Sequence, residues 1–365
     1  MTVVSRVVAL ILTIACVAAC SGPTPTPPYW QRIEDPAPGA KVRALITDGH
    51  VLYAFGSAGH APAAWAGRPW RAVPVQPRSG YGRQADLTLP SLSGDRLFAL
   101  GEAFGGAHGN PRPTIWAGSA AGLTEYPQGV ELLGGPRGIT TSGSAAGPDA
   151  FLLTGQWDHA RGGPGAAVWL SPDGVTWAQQ EDPALLSEPG AQTRILGAGH
   201  DGREFVAVGD VSVNEPGRAK ATPLAWTSAD GKTWRREPLA DPDSLGNTSV
   251  ARVTCSPESC VAVGVTSRPG GVQRLVSWVR TATWGQPSVA AVDVPADQLL
   301  EVTGLTARMV TAKAGGRPRL WSLDGKEMPL PEESDSVSAA SLGRDDFLAT
   351  TRGDVTHLWT RPVTP

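Results

Sequence analysis

Long apolar periodicity is what this 365-residue chain lacks. Beyond the N-terminus no stretch repeats apolar residues every 3.6 positions, which excludes long amphipathic helices and leaves a body that is nearly all β. A surplus of one charge is missing too. The net charge is −3, with both signs scattered along the chain, and this excludes nucleic acid as the main partner, since phosphate binding needs a concentrated basic face. The six histidines are dispersed, and neither an H-E-x-x-H run nor a G-x-S-x-G elbow occurs. Gly197-Ala-Gly199-His-Asp-Gly202 matches G-x-G-x-x-G by letters, but it joins two strands and opens no helix, so it reads as a hairpin turn. No metal and no cofactor are expected. What the chain has in quantity is turn formers, with 44 Gly and 33 Pro.

Aromatic residues are few, yet 13 of them are tryptophan. Trp65, Trp116, Trp169, Trp226, Trp278, Trp321 and Trp359 each end a short apolar or Ala-rich run, at gaps of 51, 53, 57, 52, 43 and 38 residues. Such spacing suits four-stranded propeller blades. Ahead of each lies a strand-like run that often closes in Gly, as in Leu-Tyr-Ala-Phe-Gly56, Phe-Val-Ala-Val-Gly209 and Cys-Val-Ala-Val-Gly264. Continuous apolar runs of this length predict strands buried on both faces. Arg308 to Lys313 and Phe347 to Thr351 are worn copies. The fourth strand is predicted to begin at Trp70, Trp177, Trp234 and Trp284. The seventh unit stops at Trp359, and Tyr29-Trp30-Gln-Arg-Ile33 has the text of a fourth strand. The expected fold is therefore all-β, a seven-bladed propeller over residues 29–365, closed by the N-terminal strand pairing with the last blade, which removes exposed sheet edges. Each buried tryptophan removes roughly 150–250 Å² from water, at most about 4–6 kcal/mol, so inter-blade packing is their expected role.

The first residues form a targeting segment. Arg6 precedes the apolar run Val7 to Ile14, too short to span a bilayer. Val17-Ala18-Ala19-Cys20 follows, and this resembles the lipobox of bacterial lipoproteins. The resemblance implies a signal peptide over 1–19, a diacylglyceryl group on Cys20, and a cell-membrane location on the extracytoplasmic side. Residues 20–28 then form a Pro-rich tether of about 25 Å in polyproline II. Export also accounts for Cys255 and Cys260, which flank a predicted hairpin and are expected to form a disulfide in an oxidising compartment, worth roughly 2 kcal/mol for so small a ring.

Ser171-Pro-Asp173-Gly174-Val-Thr176-Trp177 and Ser228-Ala-Asp230-Gly231-Lys-Thr233-Trp234 resemble the Asp-box, or BNR, repeat of the sialidase superfamily. Ser322-Leu-Asp324-Gly325 is a degenerate third copy. The chemistry is that of a turn: Asp bonds nearby amides, Gly takes positive φ, and Trp anchors the hairpin. In the resembled family these boxes are structural and lie away from the active site. Sialidase activity would need three convergent arginines, a Tyr-Glu nucleophile pair and an acid Asp; Tyr81 and Tyr126 are the tyrosines outside strands. The family's Phe/Tyr-Arg-Ile-Pro start is absent.

Long inserts separate the second and third strands of three units, at Glu102 to Pro113, Gln156 to Gly165 and Val211 to Ala221. The face that carries them also collects Arg78, Tyr81 and Arg83, and Trp157, Asp158, His159 and Arg161 occupy the middle insert. An aromatic flanked by charges on a surface loop is a candidate anchor for a protein or glycan; the other arrangement open to Trp157 is folded over its own blade. The functional expectation is a monomeric, lipid-anchored binding or assembly scaffold, with a sialidase-like hydrolase on the insert-bearing face as the alternative.

Overall fold

Apolar runs that end in glycine become the second strand of five of the seven sheets, and in four of these the reason for the glycine is the approach of the first strand. The computed structural model describes residues 29–104, 112–215, 218–268 and 270–363. It contains seven twisted antiparallel sheets arranged as seven blades of four strands. Their second strands are Leu52–Ala58, Arg96–Ala103, Phe151–His159, Phe205–Glu215, Cys260–Ser267, Met309–Ala314 and Asp345–Arg352. A Cβ on Gly56, Gly155, Gly209 or Gly264 would lie about 2 Å from a first-strand carbonyl oxygen: 1.9 Å from that of Lys41, 2.0 Å from Thr140, 1.9 Å from Arg194 and 2.0 Å from Ser249. Immediately past each of these pairings the first strand carries a bulge, as between Val42 and Ala44 or Ile195 and Gly197. The extra residue bends the innermost strand around the central channel, and in these four blades glycine leaves room for that bend; in blade 6 the same bulge, between Val302 and Gly304, faces Ala312. The first strand of blade 7, Ser336–Leu342, has no bulge, and Thr350 stands where the glycine would be.

The ring closes as the sequence predicts. Gln31–Ile33 pairs antiparallel with Val355–Pro362, placing Arg32 opposite Trp359. Arg32 donates to both carboxylate oxygens of Asp35, and Asp35 accepts from the Leu358 amide at 3.1 Å. Trp30 is buried and its indole N–H reaches the Pro329 carbonyl at 2.9 Å, so the first segment is fastened to blade 6 as well as blade 7.

Seven apolar clusters lie among the described residues, one at each seam between neighbouring blades. Trp65, Trp116, Trp169, Trp226, Trp278 and Trp321 each project from their own blade into the seam with the preceding one, where they are almost completely buried. Trp226 and Trp278 also donate to the Ala184 and Ala240 carbonyls at 2.9 Å, pinning the connections that enter their blades. The partner across the strand pair is small in several blades, Ala54, Ala99, Ala207 and Ala262, which leaves space for the indole. At the last seam Trp359 is only partly buried, and Trp30 supplies the enclosed indole.

Two details differ from the sequence expectation. The fourth strands begin one residue after the tryptophan at Arg71, Ala178 and Arg235, and at Ser288 in blade 5. The indoles of Trp177 and Trp234 instead fold back on the preceding turn. The second and third inserts are not loops but continuations of the hairpin, with Trp157 opposite Gly165, His159 opposite Gly163, and Val211 opposite Thr222. Gly162 and Gly163, both at positive φ, make the tight turn that lets the blade 3 ladder run to its end. Val75–Gln76 adds a fifth, parallel strand to the outer edge of blade 2.

Candidate functional site

The two faces of the ring are built differently. The lower face carries the hairpins between first and second strands and the turns between third and fourth. Here Asp173 accepts from the Val175 and Thr176 amides at 2.8 and 2.7 Å and from the Ser171 hydroxyl at 3.0 Å, while Gly174 sits at φ +76° and Trp177 donates to its carbonyl at 3.0 Å. Asp230, Gly231 and Trp234 repeat the arrangement in blade 4. At Ser322, Asp324 and Gly325 the hydroxyl–carboxylate contact and the positive φ persist without an indole. The Cys255–Cys260 disulfide closes the first hairpin of blade 5 on this face, between directly paired residues.

These turns are structural, which gives them a measurable signature. Hydrogen bonds from the Thr233 and Lys232 amides hold the Asp230 carboxylate below its usual range. A carboxylate with a lowered folded-state pKa stabilises the fold above its unfolded pKa, and that contribution disappears as pH falls through the folded value. Asp230→Ala is therefore expected to lose about 1–2 kcal/mol at neutral pH, with the gap to the parent chain narrowing in acid. Denaturant titrations at pH 7 and pH 3 check this; an equal gap at both values would contradict it.

The upper face carries the hairpins between second and third strands and the connections between blades. Of the residues predicted for a binding face, Arg78, Tyr81 and Arg83 lie on the connection from blade 1 to blade 2. That connection is fixed by the buried Glu125, which accepts from the Arg78 and Ser79 amides at 2.6 and 2.8 Å. Arg78 stacks over Tyr126 at 5.2 Å, and Tyr81 borders a cleft of about 340 Å³ with Arg112, Gln128 and Val130. Asp158, His159 and Arg161 lie at the tip of the blade 3 hairpin, where the Asp158 amide bonds the Arg137 carbonyl. Trp157 is folded over its own blade, 7% exposed and edge-on to Trp169 at 5.8 Å. No hydrogen bond, ion pair or ring contact joins the two groups among the described residues.

Exposed apolar residues are distributed unevenly. Twelve large ones are exposed among the described residues. Tyr81, Val130, Ile139, Leu245 and Leu299 lie in connections or at the start of a first strand, and Phe104, Val213, Val272 and Val355 at the hairpins between second and third strands. All nine belong to the upper face. Tyr29, Val279 and Val289 lie elsewhere.

The central channel, about 660 Å³, is lined by the first strands of all seven blades. Among the described residues, the arginines that line it are Arg43 and Arg252, and no tyrosine does. Both cations are engaged. Arg43 meets Asp86 at 2.6 Å, and Arg252 donates to the Leu196 and Ala251 carbonyls at 2.8 Å, with burial pushing its pKa down. Tyr126 is held under Arg78 and Tyr81 opens onto its own cleft, so the described residues do not assemble there the set of three arginines and a tyrosine that a sialidase would need. Instead the channel mouth gathers Lys41, Asp86, Glu102, Phe104 and Asp354. None of these belongs to a motif. The signal that would have found them is positional: Lys41, Asp86 and Glu102 sit near the upper ends of strands in blades 1 and 2, Phe104 just past one, and Asp354 in the blade 7 hairpin turn on the same face. Cys20 and the tether, residues 20–28, lie outside the described residues.

No protein-family model matches the chain, and no curated protein matches it in sequence. Solved structures do resemble it. The β-propeller domain of the Trilobed protease from Pyrococcus furiosus is 10% identical, with a TM-score of 0.47 over 88% of this chain and 95% of that one. Prolyl oligopeptidase B from Galerina marginata is 14% identical, with a TM-score of 0.46 over 86% of this chain and 47% of its own length. A Trypanosoma rangeli sialidase is 11% identical, with a TM-score of 0.39 over 88% of this chain and 53% of that one. The chain thus spans about half the length of the prolyl oligopeptidase and the sialidase, and at these identities the likeness to all three is one of fold alone.

Proposed function

We propose that this chain is an exported, lipid-anchored β-propeller that serves as a protein-binding scaffold at the outer side of the cell membrane, docking its partner on the upper face. The observation that carries the reading is the segregation of exposed apolar side chains, nine of twelve on that face. Single exposed aliphatics are ordinary on any protein surface, but apolar surface concentrated on one side favours a protein partner over a glycan or solvent alone. The described chain enters at Tyr29, beside Arg361 at the lower end of blade 7. A lipid on Cys20 and a tether of about 25 Å would therefore hold the lower face toward the bilayer and leave the upper face outward. The disulfide on the lower face accords with an oxidising compartment.

Photo-crosslinkers at Leu299 and Val272 on the upper face, and at Val279 on the lower, test the reading in native membranes. Discrete protein adducts are expected from the first two positions and none from the third. Adducts of equal yield from all three, or from none, would remove the scaffold reading. In the same cells Cys20→Ala is expected to release the chain from the membrane fraction; retention there would remove the anchor.

A further inference from the structure

A second cavity, about 610 Å³, opens on the upper face and shares Asp86, Glu102 and Phe104 with the channel. It lies where blades 7, 1 and 2 meet, and its volume falls in the range of small-molecule sites. Most of its charges cancel in pairs. Lys41 meets Asp354 at 2.8 Å, and Arg43 meets Asp86 at 2.6 Å. His60 also borders the cavity. One anion is left over. Glu102 pairs in register with Asp86 on the adjacent strand, but its own carboxylate takes part in no hydrogen bond or ion pair among the described residues. Burial raises its pKa, Arg43 opposes the rise, and the neighbouring Asp86 adds to it. A partly desolvated carboxylate without a partner is costly unless something cationic completes it. Phe104, 60% exposed, stands at the rim and makes no ring contact with another described residue, which leaves its face to such a group. A metal ion is a poor fit, because the guanidinium of Arg43 already occupies Asp86.

We propose that the channel mouth is a pocket for an organic cation, an ammonium or guanidinium group, with Glu102 as its counter-charge and Phe104 as its apolar wall. The proposal rests on the reading of the upper face as the docking face and names the chemistry recognised there. Such a cation has two sources, a free organic amine or a basic side chain on the docked protein.

The test is calorimetric titration of the full chain with benzylammonium and N-acetyl-arginine amide, against the neutral benzyl alcohol and N-acetyl-norleucine amide. The cationic probes are expected to bind saturably and at least tenfold tighter than the neutral ones. Glu102→Gln should erase that preference, Phe104→Ala should weaken it about fivefold, and Glu258→Gln, an equal charge change on the lower face, should leave it intact. Should Glu102→Gln fail to fold, Phe104→Ala carries the same readout. Equal binding of charged and neutral probes, no saturable binding, or a preference that survives both pocket variants would overturn the proposal. The crosslinking experiment, repeated in Glu102→Gln, separates the sources. Loss of the Leu299 adduct assigns the cation to the protein partner, and an unchanged adduct with lost probe binding assigns it to a free amine. If upper-face adducts persist while no cation binds, the pocket fails and the scaffold stands; cation binding without any adduct leaves the pocket and removes the scaffold.

Discussion

Gly209→Ala is expected to cost about 3 kcal/mol and lower the melting temperature by about 5 °C or more. The added Cβ would meet the Arg194 carbonyl oxygen at 1.9 Å and the Ile195 Cα at 3.0 Å, both backbone atoms of the bulged inner strand. Neither can move without reopening the ladder of blade 4. The effect is steric, not conformational, because Gly209 is not among the glycines at positive φ. Gly129→Ala is the matched control. It has φ −58° and nothing within 4 Å of the place its new methyl group would take, so a change within about 0.5 kcal/mol is expected. Gly56, Gly155 and Gly264 should behave as Gly209 does. Gly101 should differ in kind, since its Cβ would press on the side chains of Thr114 and Trp116 and disturb the hydrogen bond between them. Thermal and denaturant melts of the two variants decide the matter; a Gly209→Ala chain as stable as Gly129→Ala would show that the bulge tolerates a methyl group.

Trp30→Ala is expected to cost about 3–5 kcal/mol, the range for emptying a buried aromatic site. The indole is enclosed by Met309, Leu320 and Leu348 at the seam between blades 6 and 7 and bonds the Pro329 carbonyl. It also lies under the Arg361 guanidinium at 5.4 Å. Losing it loosens the three-residue strand that closes the ring, and Val355–Pro362 then becomes an open edge. Open edges pair with other chains, so association at raised protein concentration should accompany the lower melting temperature. Light scattering with a thermal melt checks both. A Trp30→Ala chain that is monomeric and within about 1 kcal/mol of the parent would mean that closure does not depend on this residue.

Much of the fold was legible because its signals are local. A tryptophan ending the third strand, an Asp-Gly turn, a cysteine at each end of a hairpin and a strand-like segment ahead of the first blade can each be read within a few residues. The candidate site was far less legible. Trp157 has the sequence context of an exposed anchor, yet the Gly162-Gly163 turn extends the ladder and lays its indole against Trp169. Arg43 and Asp86 are 43 positions apart in sequence, and Lys41 and Asp354 are 313 apart. Packing of the neighbouring blades 1 and 2 brings the first pair together, ring closure brings the second, and no spacing rule links either.

Repeat number, strand character, turn chemistry and the disulfide pair were determined by the amino-acid sequence itself, since each depends on neighbours along the chain, and the manner of closure was legible because the last repeat lacks the fourth strand whose text stands ahead of the first. Which glycines admit the inner strand, which indoles are enclosed, and which carboxylate is left without a partner at the channel mouth were decided only when seven sheets packed side by side. Those properties depend on atoms from a different strand or a different blade, and burial and charge pairing are set by what lies across a seam.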